Sequence, residues 1–140
     1  MHRLIAASLA LAVLGSAACS DSPTSPNPTP TPRTINVAPT GSFGPSGTVT
    51  VTNVSGSNST LTASLIGFDA STDHSVVIVT GSCAAPGAPA LTLANISSNS
   101  SGQATIASTS VPDVDVGTGY AILFYGTTST TSDVIACGDF

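Results

Sequence analysis

Valines and threonines alternate without a break at residues 48–52, where Val49 and Val51 sit between Thr48, Thr50 and Thr52. A period of two places both valines on one face of a strand. Residues 60–68 repeat the pattern, with Leu61, Ala63 and Leu65 on one side and Thr60, Thr62 and Ser64 on the other. Residues 53–59, centred on Gly56, have turn chemistry, so the two segments predict a hairpin. Val76, Val77, Ile78 and Val79 are apolar on both faces, which predicts a strand covered on both sides. Residues 84–89, with Pro86, Gly87 and Pro89, read as a loop, and 91–96 as a short strand. A turn at 97–102 then lets 103–109 pair back, and a second loop at 111–118 holds Asp113 and Asp115. Residues 119–125 form the most apolar stretch of the domain, and 134–137 close the chain as a last strand. Short strands at this spacing, about seven of them, predict an all-β antiparallel sandwich.

The N-terminus breaks the alternation. Met1, His2 and Arg3 form a short positive start, and residues 4–18 are apolar except for Ser8, Gly15 and Ser16. That stretch is shorter than the roughly 20 residues that a membrane-spanning helix needs. It reads as a targeting segment. The sequence Ser16-Ala17-Ala18-Cys19 resembles the lipobox of bacterial lipoproteins, with serine where leucine is commonest. The resemblance implies cleavage before Cys19 and lipidation of its sulfur, with acyl chains (palmitate among them) anchoring the protein to a bilayer. The same small residues also suit ordinary signal peptidase, so plain secretion and a retained anchor stay open. In enteric lipoproteins an aspartate directly after the cysteine retains the protein at the inner membrane; here Ser20 holds that place and aspartate comes at Asp21, so the resemblance implies the outer membrane, at the cell surface or the periplasmic face.

Residues 19–34 carry Pro23, Pro26, Pro28, Pro30 and Pro32. Proline removes backbone donors and fixes φ, so this tract is an extended spacer of roughly 45 Å reach. The expected organisation is therefore a leader at 1–18, a lipidated cysteine and linker at 19–34, and one sandwich domain at 35–140. Three cysteines are present; with Cys19 lipidated, Cys83 and Cys137 can pair with each other. Two free buried thiols are the alternative.

Charge narrows the partners. The chain has seven acidic residues, all aspartate, and after cleavage Arg33 is the only basic side chain. Nucleic-acid binding and electrostatic attraction to anionic lipid both need a cationic face, which this chain lacks.

Three segments in order carry a further resemblance. His74 to Val79 lead through Thr80 and Gly81 to Cys83; Ser101, Gly102, Gln103 and Ala104 open a later strand; Ala136, Cys137, Gly138 and Asp139 end the chain. This is similar to copper/zinc superoxide dismutases and their bacterial superoxide-dismutase-like relatives, over Gly47 to Phe140. The resemblance implies a Greek-key β-sandwich, Ig-like or superoxide-dismutase-like, with about seven to eight strands. It also implies a Cys83–Cys137 disulfide. Against it stand the metal positions. The matching places hold His74, Val77, Val79 and Tyr125, and valine cannot ligate a metal. Copper and zinc sites of this type need several imidazoles and a carboxylate, and His74 is the only histidine beyond the leader. The resemblance thus implies the fold and the bridge and argues against the activity and any cofactor.

Other chemistry is sparse. Asp73 beside His74 is poorly placed to orient it, because adjacent residues of an extended chain face opposite ways. No Gly-x-Ser-x-Gly elbow occurs. Asp113 and Asp115 put two carboxylates on one face of an extended segment and are weak calcium candidates, with Asp69 or Asp133 as further oxygen donors. Asn53, Asn58, Asn95 and Asn99 head Asn-x-Ser/Thr sequons, which arise by chance in so serine-rich a chain. Tyr120, Phe124 and Tyr125 serve either a core or a ligand patch. The expectation is a non-enzymatic envelope lipoprotein, a structural or adhesive module for an unknown protein or glycan. A calcium-binding or copper-carrying protein is the alternative, an enzyme the last choice. The oligomeric state is not encoded in any feature of the chain.

Overall fold

Alternation and β-branched content produce strands along most of the domain. The computed structural model describes residues 31–55 and 57–140. The leader at 1–18, Cys19 and the linker up to residue 30 lie outside the described residues. The strands are β1 (Arg33–Pro39), β2 (Ser46–Ser55), β3 (Asn58–Ile66), β4 (Asp73–His74), β5 (Val76–Ser82), β6 (Ala85–Thr92), β7 (Ile96–Ser97), β8 (Gln103–Pro112), β9 (Tyr120–Tyr125) and β10 (Val134–Asp139). A 3₁₀ turn, Asp113–Val116, separates β8 from β9. Among the described residues no helix is long and apolar enough to cross a membrane.

Eight strands form one antiparallel sheet in the order β6-β5-β9-β10-β1-β2-β3-β8, and β4 pairs with β7 in a small second sheet. The large sheet folds over on itself at β1. Arg33 to Val37 pair with β2, whereas only Ala38 and Pro39 pair with β10. The two halves thus face each other as a half-barrel, the all-β sandwich-like arrangement that the alternation predicts. Chain connections cross between the halves: β3 leads over to β5, and β6 leads back to β8, which lies beside β3. These are Greek-key-type connections.

One core lies between the halves. Ile35, Val49, Val51, Leu61 and Leu65 from one half meet Val76, Ile78, Ile122 and Phe124 from the other, all buried. Each such side chain contributes about 1.5–3 kcal/mol on burial. The hairpin expected from 48–52 and 60–68 forms as β2 and β3, with Val49 opposite Ala63 and Val51 opposite Leu61.

Three expectations change. Residues 85–89, expected within a loop at 84–89, instead form most of β6, whose side chains are almost all exposed. β6 lies at the edge of the sheet, and an edge strand tolerates Pro86 and Pro89 because half its donors face solvent. The segment 103–109 does not pair back onto 91–96; as β8 it pairs with β3, through a bulge opposite Leu61 and Ala63. The loop at 111–118 contains the 3₁₀ turn and therefore does not hold Asp113 and Asp115 on one face of an extended segment. Strand β1 begins at Arg33.

Candidate functional site

β5 and β9 are apolar on both faces because both faces are covered. Val76, Ile78, Ile122 and Phe124 point into the main core. Val77, Val79, Ala121, Leu123 and Tyr125 point the other way and form a second buried cluster with Cys137, against which Cys83 and Val134 pack. This outer cluster is the candidate site, since it gathers Val77, Val79 and Tyr125, three of the four positions where the resemblance puts lost ligands. Val77 and Val79 lie across from Leu123 and Ala121. Apart from the Tyr125 hydroxyl and the sulfurs its side chains are hydrocarbon.

His74, the fourth position, does not join them. It lies on β4, opposite Ile96, and its ring centroid is 4.5 Å from that of Phe68, a residue of the main core. Only 1% of the residue is exposed. Its Nδ1 donates to the Tyr125 carbonyl oxygen at 3.0 Å, since a carbonyl can only accept. Its Nε2 lies 2.7 Å from Thr72 Oγ1. The Thr72 hydroxyl also reaches the Asp69 carbonyl at 2.8 Å, to which the Ser98 hydroxyl donates as well. Both ring nitrogens are thus engaged within the protein, tying the small β4–β7 sheet to β9. Asp73, exposed, accepts from the Ser97 hydroxyl. It therefore has a partner of its own on β7.

The Cys83–Cys137 disulfide is present, with Cα atoms 5.7 Å apart. Its reach needs a bend. Cys137 pairs with Leu123, and Leu123 with Val77. The chain from Val77 to Cys83, if straight, would carry Cys83 roughly 20 Å away. Instead β5 turns at Gly81, whose φ is +93° and whose N–H donates to the Gly119 carbonyl at 2.7 Å. The Ala85 carbonyl oxygen lies 2.4 Å from where a Cβ on Gly81 would sit, so glycine is needed twice over. The β5–β6 tip then folds across the outer face of β9. There the Cys83 N–H donates to the Asp139 carboxylate at 2.6 Å.

The acidic candidates separate. Asp113 accepts from the Ser59 hydroxyl at 2.6 Å and from the Asn53 amide at 3.2 Å, so both its oxygens serve internal bonds. Asp113 and Asp115 belong to no group of three potential ligands among the described residues. Two residues that the sequence left without a role acquire one. Asp139 caps the hairpin tip, and Arg33 donates to the Val116 carbonyl with its guanidinium 5.9 Å from the Phe140 ring centre. A lone cation beside a strand of alternating Ile35 and Val37 was the available signal for Arg33.

No protein-family model matches this chain, and no curated protein matches it in sequence.

Proposed function

We propose that this chain is a non-catalytic envelope lipoprotein, a structural or adhesive binding module on a proline-rich stalk, with a superoxide-dismutase-like fold that has lost its metal ligands. The observation that carries this reading is the outer cluster. Val77, Val79 and Tyr125 meet there beside a disulfide, and the one histidine of the domain turns its nitrogens to Tyr125 and Thr72 instead. The crossing connections and the bridge from the β5–β6 tip to β10 support the family resemblance.

Adhesion has its own support at one end of the sheet. Phe43 is 94% exposed in the β1–β2 loop, and Ile66, paired with Ser46 just beyond that loop, is 56% exposed. Large apolar side chains left in water are candidates for a contact surface. Lipid attachment at Cys19 would hold this surface away from the bilayer by the length of the spacer.

Two measurements test the reading. Purified protein should show no superoxide dismutation above that of buffer, and the Cys19→Ser chain should move from the membrane to the soluble fraction. Dismutation lost on His74→Ala, or membrane attachment that persists without Cys19, contradicts it.

A further inference from the structure

We propose that the Cys83, Cys137 and Asp139 cluster is a redox-gated site for a borderline-soft divalent cation of the zinc type: closed as a disulfide, open once reduced. The sulfurs and a carboxylate oxygen all lie within 4.8 Å of one another, the only group of three such ligands among the described residues. The hydrogen bond from the Cys83 N–H holds the Asp139 carboxylate in place. Asp139 is exposed and Cys83 half-exposed, and a groove of about 600 Å3 between β1 and the hairpin tip opens onto all three side chains.

The chemistry balances. An external dithiol reduces the Cys83–Cys137 bond, supplying two electrons and two protons and ending as a disulfide itself. A zinc ion then displaces both thiol protons to solvent and takes two thiolates. Tetrahedral zinc with sulfurs about 2.3 Å away needs those sulfurs roughly 3.8 Å apart. Side-chain rotation alone can open the pair that far on Cα atoms 5.7 Å apart. The Asp139 oxygen is the third ligand, and water from the groove the fourth. Reoxidation by an external disulfide, which accepts two electrons and takes two protons from solvent as it becomes a dithiol, ejects the ion, because a disulfide offers no thiolate.

The test uses the full chain carrying Cys19→Ser, so that only two thiols remain, with zinc ion alone as the probe. Metal content after dialysis should be one zinc per chain when the protein is reduced and none when it is oxidised. Zinc should also protect both reduced thiols from alkylation. Asp139→Asn keeps an oxygen for the Cys83 N–H but loses the charge, and should weaken zinc binding at least tenfold with the β-type circular dichroism unchanged. Absence of zinc uptake by the reduced protein overturns the proposal. So does uptake insensitive to Asp139→Asn, which is the behaviour of two thiols on an opened chain.

Discussion

At the scale of single residues, His74 and Arg33 hold the domain by contacts that alternation does not encode. His74→Ala removes a donor from the buried Tyr125 carbonyl and leaves a hole against Phe68. An unmet buried acceptor and a cavity together predict a loss of about 2–4 kcal/mol, read from the shift in urea midpoint. An unchanged midpoint would mean that the ring is not buried as described. Arg33→Ala removes one hydrogen bond to Val116 and a cation–aromatic contact with Phe140. Its expected cost is about 1 kcal/mol, smaller because the site is partly wet. That His74 is the only histidine beyond the leader was legible in the sequence, but its side of the sheet was not. That side is set by β4, a strand of two residues, too short to leave a period.

At the scale of elements, the β5–β6 hairpin is the part most sensitive to change. Its tip must fold across β9, and Gly81 supplies the turn. Gly81→Ala combines a strained φ with a contact of 2.4 Å to the Ala85 carbonyl, so a loss of roughly 2–3 kcal/mol is expected in the same denaturation experiment. The variant should also react faster with a reductant at Cys83–Cys137, because the tip is no longer held down. The alternating parts of β2 and β3 were legible, although both strands extend into the turn expected at 53–59 and β3 stops at Ile66, and the double-sided apolar run of β5 was legible too. β6 was not, because Pro86 and Pro89 carry the signature of a loop and only the edge position makes them acceptable. β1 was hidden by its neighbour, since Ile35 and Val37 follow directly on the proline tract. The partner of β8 was illegible for another reason: alternation gives the face of a strand, not the strand beside it, and β8 returns to β3 after a crossover.

At the scale of the whole molecule, the disulfide joins residues 54 apart in sequence and closes the hairpin tip onto β10. In the chain-entropy model a loop of that size is worth roughly 4 kcal/mol. Cys83→Ser with Cys137→Ser should therefore lower the melting temperature markedly, by ten degrees or more at about 4–8 °C per kcal/mol for a domain of this size. The bridge closes over an outer cluster that holds Val77 and Val79, and the proposed function reads these two valines as replacements for metal ligands. That reading is tested most directly by equilibrium dialysis of the disulfide-intact protein against copper and zinc, with the bound metal counted per chain. The account predicts no stoichiometric metal, with His74→Ala making no difference to the count. One equivalent of copper or zinc held by the oxidised protein and lost on His74→Ala would contradict it.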